Sequence, residues 1–180
     1  MAVRRAAVIF FAVGAVALFA GGCIGIKRGG TRPGHKLYET FFVGDDGTQY
    51  FIKPIAFAGE HGDATMDVTF RFKTEIRDSA TINISFVDDQ IHKSADSIVL
   101  RAGTNRIRLN TGKLLFNDKV KGGYASRFTA KAPLADIAPM FNQHDWTISL
   151  YGAGSSLHYN AGNNARKKIS KLRENVFALL

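Results

Sequence analysis

Val68-Thr69-Phe70-Arg71-Phe72-Lys73 alternates apolar and polar residues one by one. In an extended chain successive side chains point to opposite faces, so Val68, Phe70 and Phe72 share one face and Thr69, Arg71 and Lys73 the other. Ile82, Ile84 and Phe86 repeat the pattern against Asn83 and Ser85, and Trp146, Ile148 and Leu150 repeat it against Thr147 and Ser149. One buried and one wet face is the mark of antiparallel sheets. Turn-forming stretches separate the runs: Asp45-Asp46-Gly47, Glu75 to Ser79, Ala102 to Asn105, Asn110-Thr111-Gly112 and Lys121-Gly122-Gly123. The spacing predicts strands over 37–43, 48–57, 65–74, 80–88, 96–101, 105–109, 113–118, 124–131, 145–151 and 155–159. Ten short strands with regular turns predict a mainly β fold, an antiparallel β-sandwich in preference to a small barrel, with a C-terminal α-helix.

Two segments carry helical spacing. Pro133 to Asn142 opens on a proline that suits a first helical turn and holds a second, Pro139, that limits its length. It reads as a short turn across one end of the sandwich. From Asn163 onward, Ala165, Ile169, Leu172, Val176 and Leu179 recur every three or four residues. Asn163 or Asn164 can cap this helix. Its apolar stripe either docks on the sheet or lies on a membrane; docking is the expectation.

Charge is distributed unevenly. The 180 residues carry a formal net charge of +9, yet residues 37–160 hold 13 basic and 14 acidic side chains. The excess sits at the ends, in Lys27, Arg28, Arg32 and Lys36 and in Arg166, Lys167, Lys168, Lys171 and Arg173. A nucleic-acid-binding module would spread basic residues across its folded face, so no nucleic-acid partner is expected. Basic flanks suit the neighbourhood of an anionic membrane or simple solvation.

The N-terminus places Arg4 and Arg5 before an uncharged run from Ala6 to Ile26, the charged-then-apolar order of an export signal. The run closes in Phe19-Ala20-Gly21-Gly22-Cys23, with small residues before the single cysteine of the chain. This stretch resembles the lipobox of bacterial lipoproteins, with Gly22 and Gly21 matching and Ala20 standing where that class usually has leucine. The resemblance covers residues 1–23. It implies a signal peptide over 1–22, cleavage before Cys23, acylation of that cysteine and attachment to membrane lipid. Ile24, where aspartate would favour the inner membrane, implies the periplasmic face of the outer membrane. The alternative is an uncleaved single-pass anchor, since 21 apolar residues just span a bilayer core. Residues 25–36 hold four glycines, one proline and four basic residues, and with Cys23 and Ile24 they form a flexible basic tether over 23–36. The domain expectation is then a β-sandwich over 37–160 and a helix over 161–180 packed upon it.

Chemical motifs are sparse. A lone cysteine excludes an intramolecular disulfide and a multi-cysteine metal site. Histidines 35, 61, 92, 144 and 158 lie far apart in sequence. Glu60, His61 and Asp63 crowd one loop, and His144 and Asp145 another; both are candidate ligand or interaction loops, and a metal would need assembly in space. Asp45-Asp46-Gly47 does not continue into a calcium loop, Gly154-Ser155-Ser156 lacks a nucleophile elbow, and no phosphate-binding Gly-Lys-Ser/Thr run occurs. The expectation is a membrane-anchored, non-catalytic structural or binding module with no cofactor, meeting an envelope protein or glycan. The alternative is a small exported hydrolase or metal-dependent enzyme built from Glu60, His61, Asp63, His144 and Asp145.

Overall fold

The computed structural model describes residues 37–73, 76–77, 79–110, 112–152 and 154–180. The expected signal segment, Cys23 and the tether to residue 36 lie outside the described residues. The chain forms β1 (Tyr38–Phe42), β2 (Thr48–Gly59), β3 (Gly62–Lys73), β4 (Ile76–Arg77), β5 (Ser79–Asp88), β6 (Ser97–Ala102), β7 (Asn105–Asn110), β8 (Lys113–Val120) and β9 (Gly123–Pro133). A short helix α1 (Leu134–Ile137) runs into a 3-10 turn, Ala138–Asn142, before β10 (Trp146–Gly152), β11 (Ser155–Asn160) and the helix α2 (Asn163–Asn175). All ten expected strands are present, with the two-residue β4 in addition.

Every pairing is antiparallel, and the strands link in one path, β7-β6-β10-β11-β2-β3-β5-β9-β8, with β1 on β2 and β4 on β3. The two ends of this path, β7 and β8, are consecutive in sequence, so the sheet must curl to bring them together. Gly112 between them is close-packed: a Cβ there would lie 3.3 Å from Phe128 Cβ in β9 and 3.4 Å from Ile98 Cδ1 in β6.

The long strand β2 changes partner half-way along. Its first half pairs with β1 as far as Ile52, and its last residues Ala58 and Gly59 pair with β11. Between them the register against β3 slips, so that Lys53 and Pro54 together oppose Asp67. Proline has no N–H to offer a ladder and belongs where a strand is bulged. Lys53 N–H makes the last bond to β1's side, donating to Leu37 O at 2.9 Å.

The apolar rows meet inside the curl. Ile52, Ile55 and Phe57 of β2 face Met66, Val68 and Phe70 of β3, Ile82, Ile84 and Phe86 of β5, and Ile148 and Leu150 of β10, all buried. Among the described residues the buried core cluster runs from Ile52 to Phe177. The stripe Ala165, Ile169 and Leu172 of α2 is buried, as are Val176 and Phe177 beyond it, so the helix is docked through its apolar face. Phe177 stacks on Phe141 with ring centres 3.7 Å apart, and Phe141 packs on Trp146 at 4.9 Å. Lys168 Nζ donates to Pro54 O at 2.7 Å, seating the helix over the bulge. Among the described residues no helix is long and apolar enough to cross a membrane.

Candidate functional site

In β5 the inward positions read Ala80, Ile82, Ile84, Phe86 and then Asp88. The row ends in a carboxylate that is only 3% exposed. A buried carboxylate is costly unless several donors satisfy it, and Asp88 has three. Gln90 N–H donates to Oδ1 at 2.8 Å, His92 Nε2 lies 2.5 Å from Oδ2, and the Tyr159 hydroxyl donates to Oδ2 at 3.4 Å. The contact with Asp88 Oδ2 fixes the orientation of the His92 ring. The His92 backbone N–H donates to Ser126 Oγ at 3.0 Å, and the ring lies edge-on to Phe86.

Two glycines let the neighbouring strands close on this carboxylate's backbone. Gly62 stands directly opposite Asp88 in β3, and Gly123 opens β9 beside it. A Cβ on Gly62 would run into Val87 O, and one on Gly123 into Asp88 O. Tyr159, from the far strand β11, is buried against Phe86 with ring centres 5.2 Å apart. Burial pushes its phenol well above the usual range, and the charges of Asp88 and Asp63 and the hydrogen bond to Asp88 push it further. It is therefore a neutral donor at any physiological pH.

These contacts fasten the loop between β5 and β6 as one wall of a cleft of about 520 Å3. Ile91, Leu150 and Leu157 form its apolar part, and the rest of the lining is largely polar, with His61, Asp89, Gln90, His92 and Lys93 among it. The far end of the loop is tied down by Asp96 N–H donating to Tyr151 O at 2.8 Å. Such a mixed lining suits a ligand that offers both hydrogen-bonding and apolar groups. Among the described residues no hydroxyl or thiol is hydrogen-bonded to the His92 ring, and no three His, Cys, Asp or Glu side chains are grouped to hold a metal ion.

The loop residues expected from sequence divide between different places. His61 lines the cleft, and it also borders a smaller depression of about 110 Å3 with Glu60 and His158. Asp63 is exposed on β3 and acts on Tyr159 through its charge alone. His144 and Asp145 are exposed just before β10, and Asp145 pairs with Arg166 at 3.0 Å. Leu150, the first residue of that strand to line the cleft, lies five steps of about 3.4 Å from Asp145, which puts the pair roughly 17 Å or more along the strand from it. The five residues therefore do not form one site. The residues missed are Asp88, His92 and Tyr159. Asp88 carried a readable signal, an acid in phase with four apolar residues; Tyr159 carried none, since 71 residues separate it from Asp88. No protein-family model matches the chain, and no curated protein or solved structure matches it either.

Proposed function

We propose that this chain is an exported binding module, held by acyl chains on Cys23 at the periplasmic face of the outer membrane. Its recognition site is the cleft beside the Asp88–His92 pair, and its partner is an envelope protein or glycan that offers an apolar group with a hydrogen-bonding edge. The observation that carries this reading is the buried Asp88 carboxylate holding the His92 imidazole in one orientation at a cleft lined by both polar and apolar side chains. Preorganised polar groups of this kind fix a ligand's orientation without ordering costs at the moment of binding. A carboxylate-oriented imidazole also suits general-base work, which is what favours the hydrolase alternative.

Photo-crosslinking in cells separates these readings. A crosslinking residue in place of Ile91, half-exposed at the cleft rim, should trap a discrete envelope component, and His92→Ala should abolish the adduct. No adduct from Ile91 would remove the cleft as the recognition site. Turnover of ester or glycoside probes, abolished by His92→Gln, would replace the binding module by the hydrolase. For the anchor, intact-mass analysis should find acylated mature chain in the parent and none in Cys23→Ala. Identical mature species from both would end the lipid-anchored reading.

A further inference from the structure

The outer face of the β6–β7 hairpin carries three arginines close together. Arg101 in β6 is the direct register partner of Arg106 in β7, and Arg108 stands two residues further along the same face. All three are exposed, and among the described residues none makes an ion pair or a hydrogen bond. Like charges directly opposite each other weaken a strand pair, and among the described residues no ion pair offsets this. Thr147 and Asn160 continue the Arg106–Arg101 row across β10 and β11, joined by a 2.9 Å bond from Thr147 Oγ1 to Asn160 Oδ1. On the side towards α1, Arg106 and Arg108 border an open depression of about 520 Å3, where Asp136 is the one acid.

We propose that this arginine face binds the phosphate groups of anionic phospholipids in the membrane that holds the chain. Guanidinium forks match phosphate oxygens two at a time, which ammonium groups do not. Proximity follows from the chain outside the described residues, and to that extent the proposal rests on the lipid-anchored reading. Residues 24–36 reach about 45 Å at ~3.4 Å per residue, so an acylated Cys23 keeps the domain within that distance of the headgroups. At such effective concentrations weak individual contacts suffice.

The test uses residues 24–180, which contain every core residue found among the described residues, in co-sedimentation with vesicles. Binding is expected to vesicles with about 30% phosphatidylglycerol and not to pure phosphatidylcholine, and to fall with added salt. Arg101→Gln, Arg106→Gln and Arg108→Gln together should lower the partition coefficient about a hundredfold, or about 3 kcal/mol at ~1.4 kcal/mol per decade. The melting temperature of this variant should match or slightly exceed the parent's, which controls for folding. Neutralising Lys27, Arg28, Arg32 and Lys36 instead should leave the arginine dependence in place. Equal sedimentation of the triple variant and its parent would overturn the proposal. So would release by millimolar inorganic phosphate but not by chloride of equal ionic strength, which would assign the face to free phosphate. Retention on heparin with no vesicle binding would likewise overturn it, in favour of an anionic polymer. Acylation of Cys23 is read separately by intact mass, so the anchor and the arginine face can fail independently.

Discussion

His92 Nε2 lies 2.5 Å from Asp88 Oδ2, only four residues along the chain, and the contact turns the end of a strand into the wall of a cleft. The carboxylate is at the last inward position of β5, where the sheet stops and the chain must leave. By bonding to Gln90 and His92 it bends the departing chain back on itself. Tyr159 and Ser126 hold the same turn from two other strands. The side chain that ties the loop to the end of β5 is thus also the one that orients the imidazole.

Asp88→Ala is expected to cost about 2–4 kcal/mol, since it strips the partner from three donors, two of them buried or half-buried. At about 2–4 °C per kcal/mol for a domain of this size, the melting temperature should fall by roughly 5–15 °C. A double-mutant cycle with His92→Ala should return a coupling of about 0.5–3 kcal/mol. Additive effects would mean that the pair does not act as a unit.

Alkaline stability should depend on Tyr159. Its phenol titrates above its ordinary 10.0 in the fold because of burial and the nearby carboxylates. Above pH 10 the unfolded chain holds fewer protons than the folded one, so stability is whole below pH 10 and is lost as pH rises beyond it. Tyr50, raised by burial and by Tyr38, acts in the same direction. Lys168, lowered by burial and by Lys53, acts oppositely up to its ordinary 10.5. Comparing unfolding between pH 9 and 12 in the parent and in Tyr159→Phe isolates the first effect: the variant's curve should be the flatter. Parallel curves would contradict the assignment.

The two glycines beside Asp88 should tolerate no side chain. Gly123→Ala meets backbone atoms of Asp88 and Asp89, which cannot rotate away, and should cost about 2–3 kcal/mol or more. Its neighbour Gly122 has φ +93 but nothing within 4 Å, so Gly122→Ala should cost only about 1–2 kcal/mol of backbone strain. Chemical denaturation of the two variants gives the difference directly, and a larger loss at Gly122 would count against the close approach.

Phe141 links the C-terminal segment to the sheet, stacked on Phe177, tilted against Trp146 and wholly buried. Phe141→Ala should cost about 3–5 kcal/mol. Hydrogen exchange should quicken first in α2 and the turn Phe177–Leu179, whose docking depends on that ring. Uniform loss of protection across the sheet would show that α2 is no separate unit of stability.

Much of the fold was legible because its signals are local. Ile82-Asn83-Ile84-Ser85-Phe86 must be a strand with one buried face wherever it pairs, and Ala165, Ile169 and Leu172 must be one stripe of a helix. The site was less legible. Glu60, His61, Asp63, His144 and Asp145 were singled out for sharing polar loops, yet sharing a loop does not place residues on a cleft, and only His61 lines it. The step from Phe86 to Asp88 obeys the same period of two, and an acid at an inward position asks for buried donors.

Residue types and their spacing along this chain determined its antiparallel strands, its terminal helix, its neutral middle with basic ends, and the lipobox-like approach to Cys23. The order of the strands was decided only in three dimensions. Period-two alternation states which face of a strand is buried, but is silent on which strand lies beside it. The bulge at Lys53–Pro54 passes the edge of β2 from β1 to β11, and that hand-over brings Tyr159 over Asp88. Pairing of β6 with β10 as well as with its hairpin partner β7 sets Arg101 between Arg106 on one side and Thr147 on the other. Pairing between distant segments follows from closing one core around all the apolar rows at once, and no local stretch of sequence contains that condition.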